Sequence, residues 1–173
     1  AILEEIFSPD YAIAQAAENA QPLGARGGDT LQIVTTGSLS SGEGVEGAAG
    51  MLQADISIAA ATMDSSGVIT SCRIDAVQTQ VSYDAAGQLL TDTAAPVLSK
   101  DQLGTDYGMG AISGIGREWN EQAAAFAAYA TGKTVEEVAG IAVDEGTKPT
   151  DADLAASVTI AIGGFQALLE KLG

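Results

Sequence analysis

Histidine is absent from the chain, and cysteine occurs once, at position 72. Those two counts remove imidazole bases, His-containing zinc sites, axial His ligation of haem, intrachain disulfides and thiolate clusters. Two stretches keep residue types able to do chemistry. One runs from Asp153 through Ser157 to Thr159, a carboxylate and two hydroxyls at an expected helix start, where N–H groups and the helix dipole favour an anion. Lys148 is near in sequence, while Asp151 and Asp153 oppose an anion. The other is the glycine-punctuated loop carrying Tyr107 and Met109 and leading into Trp119. Glycines let backbone approach a ligand, and Tyr107 or Trp119 can cover an aromatic ring. Gly114-Ile115-Gly116 lacks the strand–loop–helix context and lysine of a phosphate-binding loop. Each stretch also has a plainer reading: Thr159 as an ordinary helix-start residue with Asp153 as cap partner of Thr150, and the loop as packing over a sheet. Glu118 with Glu121, or Asp101 with Asp106, have no fixed separation for acid–base work and read as surface carboxylates. Glu43, Glu46, Asp144 and Glu145 lack the spacing of a calcium loop and read as solvated surface.

The frame for these residues is a chain of 173 residues with 46% hydrophobic and 17% charged positions, which excludes global disorder. That length buries roughly 70% of its unfolded surface, so no staple is required. Seven Lys and Arg against 23 Asp and Glu leave a net charge of −16, a field that repels nucleic acid and anionic membranes. No apolar run reaches the roughly 18 residues of a membrane span. Low lysine content, the lone Cys72 and a first residue other than Met lead to an expectation of an exported chain. In that reading it is extracytoplasmic, at the cell surface or anchored through a segment outside this sequence.

Ser8-Pro9-Asp10 opens an N-terminal helix that Pro22 and Gly24 stop, so residues 1–28 read as a helix and linker and 29–173 as the domain. Thr30–Thr35 has strand character, and the Gly- and Ser-rich stretch 37–50 reads as a mobile loop. Gln53–Met63 and Val68–Val77 are strands joined by Asp64-Ser65-Ser66-Gly67. The related turn Asp84-Ala85-Ala86-Gly87 joins Thr79–Tyr83 to Gln88–Leu90. Beyond Pro96 come a long loop over 99–116, a helix over Arg117–Ala130 with Trp119, Gln122, Phe126 and Tyr129 on one stripe, and a helix opened by Thr134. A further helix opens at Thr150, and a C-terminal one spans Ile160–Leu172. Strands followed by helices argue an α+β fold, an antiparallel meander of three or four strands with helices packed on one face.

This order of elements, with Gly132-Lys133 after a helix and then Asp153-Leu154-Ala155-Ala156-Ser157-Val158-Thr159, resembles the FMN-binding domain family. In that family FMN is joined through its phosphate to the Thr of an Asp-x-x-Ser-Gly-Ala-Thr motif by an exported flavin transferase. Asp153 falls on the motif Asp and Thr159 on the flavin-bearing Thr; Ala156, Ser157 and Val158 stand where the motif has Ser, Gly and Ala. The chain is also similar to a divergent branch of surface proteins of anaerobic Gram-positive bacteria. That similarity rests on Cys72-Arg73-Ile74-Asp75, Ser99–Gly104, Asp106-Tyr107-Gly108-Met109, Glu118-Trp119, Gln122 and Lys148–Leu154. The resemblance implies a non-catalytic electron-transfer domain with FMN as cofactor, a flavin transferase as partner, and tandem copies of the same domain. It implies Thr159, Asp153, Ser157, Tyr107, Met109 and Trp119 as the cofactor-binding set. The departures in the motif speak against flavin attachment, and the alternative is a surface structural or ligand-binding module that keeps the fold without flavin.

Overall fold

A computed structural model describes residues 28–44 and 48–173. The expected helix over 8–20 and its linker lie outside the described residues. Three antiparallel strands, β1 (Thr30–Gly42), β2 (Gly50–Met63) and β3 (Ile69–Tyr83), form one sheet in the order β1-β2-β3. The antiparallel α+β architecture is as expected from the sequence.

Two features of the sheet differ. The stretch 37–50 is no loop at its start: Gly37–Gly42 continue β1 and pair with Ile56 back to Met51. Cross-strand pairing overrides the weak strand preference of Gly and Ser there. Val68–Val77 and Thr79–Tyr83 form a single strand, and Gln88–Leu90 adds only a bridge from Leu89 to Tyr83. Three strands therefore make the whole sheet among the described residues.

The β2–β3 turn shows why Asp recurs in this sequence. The Asp64 carboxylate accepts from the N–H of Ser66 and Val68, while its own N–H donates to Val68 O. Asp84 repeats the pattern with Ala86 and Gln88. Asp144, which sequence spacing did not single out as a turn, makes it a third time with Gly146 and Lys148. The fourth residue of each turn is left-handed: Gly67 and Gly87 at φ 81°, but Thr147 at φ 58°. A β-branched residue there is an outlier.

Val34, Ala59 and Ile74 lie in register across one face, and the helices cover it. Those helices are α1 (Lys100–Leu103), followed by a 3-10 turn over Gly104–Tyr107, then α2 (Trp119–Ala130), α3 (Val135–Ala139), α4 (Ala152–Ala155) and α5 (Gly163–Leu169). The expected 99–116 loop thus contains α1, whose N-cap Ser99 exchanges side-chain and backbone bonds with Gln102. The α2 helix begins two residues later than expected, with Glu118 as N-cap and Arg117 outside. Thr134 and Glu137 form the anticipated capping box of α3.

Asp151, not Thr150 or Asp153, caps α4, accepting from Asp153 N and Leu154 N. The C-terminal helix starts at Gly163, not Ile160: the Gln166 N bond to Ile162 O opens it, and the N–H groups of Thr159, Ile160 and Ile162 go to Gln122 and Thr147. No helix among the described residues is long and apolar enough to cross a membrane.

Phe126, Ala123 and Ala130 from α2 meet Ala59, Ala61, Ile69 and Ile74 from the sheet, and Leu168 and Leu169 from α5 close the core. The α1 helix is tied to β3 by polar groups. Arg73 donates to the Asp101 carboxylate, and Asp75 accepts from Asp101 N and Ala76 N. Burial raises the Asp75 pKa from its ordinary value, against the bonds from Ser99, Ala76 and Asp101 that lower it; the Asp101 charge adds to the rise.

A raised folded pKa gives stability that is full below the unfolded value of about 3.9 and is lost as pH climbs through the folded value. Asp75→Asn removes that loss while keeping an acceptor. Urea midpoints of the two proteins are expected to move apart in the variant's favour as pH rises from the acid end to neutrality. Parallel curves would show that the ionised carboxylate is not disfavoured in the fold.

Candidate ligand-binding cleft

A cleft of about 670 Å³ opens between the sheet, the 107–114 loop, α2 and the segment before α5. That is an ordinary size for a small-molecule site. Tyr107, Met109, Trp119 and Thr159 all line it, so the two stretches singled out from sequence converge on one wall-to-wall site. Asp153 and Ser157 do not. Asp153 is exposed on α4, and the Ser157 hydroxyl is turned back to Leu154 O. Asp153 thus faces solvent, and Ser157 lies half-buried in the turn after α4.

The residue that assembles the cleft is Gln122. It is fully buried on α2, on the stripe with Trp119 and Phe126. Its Oε1 accepts from Thr159 N at 2.8 Å, Ile160 N at 3.3 Å and Thr159 Oγ1 at 3.2 Å. Its Nε2 donates to Arg117 O at 3.0 Å and Ser113 Oγ at 3.3 Å. One amide therefore ties the loop on one side of the cleft to the segment on the other. The sequence signal was a Gln within an otherwise apolar stripe, since a buried polar side chain must have partners somewhere.

This arrangement corrects the expectation for Thr159. Three residues separate it from α5, and its hydroxyl meets the Gln122 amide rather than free backbone N–H groups. The loop is set by Glu118, a buried carboxylate that accepts from Met109 N at 2.9 Å. Gly110 makes room for it, since a Cβ there would stand 2.7 Å from Glu118 Oε1.

Aromatic packing finishes the wall. Phe165, which lines the cleft, meets Trp119 edge-on at 5.6 Å and Phe126 at 5.2 Å. Lys100 Nζ lies 4.8 Å from the Tyr107 ring centre and 4.9 Å from that of Trp119, within cation–π range of both. Lys148 also lines the cleft. Two of the chain's seven cations thus face one space in a protein of charge −16. Asp55 is the carboxylate among the lining residues, and its Oδ2 is engaged by Gln53 Nε2.

Compared with known proteins, the chain matches no family model, no curated protein and no solved structure. The site must therefore be read from its own chemistry. Among the described residues, no cluster of His, Cys, Asp and Glu is arranged to hold a metal ion. Burial pushes the Cys72 thiol up to about 12, so it stays protonated at neutral pH and behaves as a small core residue. The cleft hydroxyls of Ser113 and Thr159 meet the Gln122 amide, a neutral group that cannot act as a base. What the cleft offers is aromatic and apolar surface, hydroxyl and amide groups, and positive charge.

Proposed function

We propose that this chain is a non-catalytic, extracytoplasmic ligand-carrying domain whose cleft holds a flavin mononucleotide-type ligand without a covalent bond. The observation that carries the reading is the meeting of Lys100 and Lys148 with Tyr107, Trp119 and Thr159 in one cleft. An anionic group and an aromatic body are the two ligand parts such a lining recognises. The flavin's isoalloxazine supplies the redox chemistry, and the protein binds and shields it. Non-covalent binding is supported by the Thr159 hydroxyl, which already donates to Gln122, and by Ala156, Ser157 and Val158 in the motif positions. An exported flavin transferase and tandem copies of the domain belong to the same reading and rest on the resemblance alone.

The test is titration of the purified protein with FMN, followed by quenching of flavin fluorescence and by intact mass. Saturable quenching with no added mass is expected, together with at least about tenfold weaker binding in Trp119→Ala, the loss of one aromatic stacking partner. A mass increase equal to FMN that disappears in Thr159→Ala would replace non-covalent carriage by covalent attachment. Absence of any flavin binding would leave the other reading, a surface module that keeps this fold for a different anionic ring compound; the cation-bearing, aromatic cleft favours that over a purely structural role.

A further inference from the structure

We propose that Lys148 is the cation that receives the ligand's phosphate-type dianion, and that Thr147 is the positioning residue that aims it into the cleft. The proposal rests on the ligand-carrying reading above and assigns the anion end of that same site.

Lys100 and Lys148 are not equivalent. The Lys100 ammonium is already placed over two rings. Lys148 lines the cleft on the side of Thr159 and Gly164, and its ammonium makes no hydrogen bond or ion pair among the described residues. In a chain with 23 carboxylates, a cation left without one at a cleft wall is available to an anionic ligand.

The turn that carries Lys148 is the third Asp turn, and its left-handed position is the informative one. Gly67 and Gly87 fill that position in the other two turns, and either makes the same hydrogen bonds without steric penalty. Thr147 fills it here at φ 58°. A strained residue persists where its surroundings hold it, and two contacts do so. Thr147 O accepts from Ile162 N at 2.8 Å, and the Thr147 side chain rests on the bare Cα of Gly163. A Cβ on Gly163 would come within 3.0 Å of Thr147 Cβ and 3.1 Å of its Cγ2. The pair locks the Asp144 turn against the segment that carries Thr159 and Gly164 along the cleft. Glycine at 147 would keep the turn and the carbonyl bond to Ile162 N but lose the side-chain contact with Gly163, which loosens the turn that carries Lys148 against the cleft segment.

The experiment compares FMN with riboflavin, which lacks the phosphate, on the full chain and on Lys148→Met and Thr147→Gly. The intact protein is expected to prefer FMN by about tenfold, the contribution of one charge-assisted contact. Lys148→Met should abolish that preference and leave riboflavin binding unchanged. Thr147→Gly should lower it several-fold while its thermal midpoint stays the same or rises, which a purely structural role for Thr147 would not produce. Full retention of the preference in Thr147→Gly, or an intact protein that binds both flavins equally, overturns the proposal and leaves flavin carriage standing. If neither flavin binds, inorganic phosphate is titrated while the Lys148 and Thr159 amide resonances are followed. Shifts seen in the intact protein and lost in Thr147→Gly support the anion site and discard flavin as its ligand; no shifts overturn the anion site.

Discussion

Gln122→Leu is expected to destabilise the protein by about 4 kcal/mol, since each buried group it strands costs about 1–3 kcal/mol. Leucine nearly matches the volume, so the loss is polar rather than a cavity. Thr159 N and Ile160 N, on half-buried residues, and Arg117 O, on an exposed one, would all lose their bond to the fully buried Gln122 at once. Some relief comes from water entering the cleft, which is why the sum falls short of three full penalties. The urea midpoint should drop at unchanged slope, as for a change in stability without a change in the surface exposed. Loss of less than about 1 kcal/mol would mean that the loop and the Thr159 segment are held together by other contacts.

Phe126→Ala should cost about 3–5 kcal/mol, the usual range for emptying a buried phenylalanine site. Phe126 is fully buried, and its ring stands against Phe165, which in turn meets Trp119. The cavity would thus open behind the cleft wall, not in a remote part of the core. A shift in the emission of Trp119, the chain's one tryptophan, should accompany the drop in thermal midpoint. Phe126→Leu should recover more than half of the loss. Unchanged emission with full destabilisation would separate the core from the cleft.

The parts of this fold that were legible in the sequence are those decided by neighbours along the chain. Asp64 and Asp84 announced their turns because Gly67 and Gly87 supply the left-handed residue, and the Thr134 and Glu137 box announced α3. Asp144 escaped because Thr147 stands where the pattern wants glycine. Long-range partners decided the rest. β1 runs on through Gly37–Gly42 only because Met51–Ile56 are there to pair with it.

The start of α5 is another such case. Ile160 continues the apolar spacing of a helix, but its N–H goes to Gln122, on a helix 38 residues earlier. For the site, the aromatic loop and Thr159 were legible as candidates. Asp153 and Ser157 were read from motif spacing alone, which carries no information on which way a short helix and the turn after it would face. Gln122 was visible as a polar residue on a core stripe, but what it joins was not.

The sheet is longer than the layer that covers it, and its stability must therefore vary along its length. Strands of 13 to 15 residues extend about 45 Å. At one end, Ala59, Ala61, Ile69 and Ile74 sit under the helices, and Lys171 Nζ and Gly173 N bond to Thr35 and Gln32 of β1. At the other end Leu39 is 86% exposed, and the strands are held by their ladder, the Tyr83 hydroxyl on Gly42 O and the Gln80–Gln53 pair. Such a tip opens at a small fraction of the global unfolding free energy. Amide protons from Gly37 to Gly42 and from Gln78 to Tyr83 will exchange with solvent while those of Ile58 to Met63 stay protected. The ribbon frays from its far end inward, and the opening reaches the cleft only at its inner limit, where Asp55 and Ile56 of the lining pair with Ser38 and Gly37.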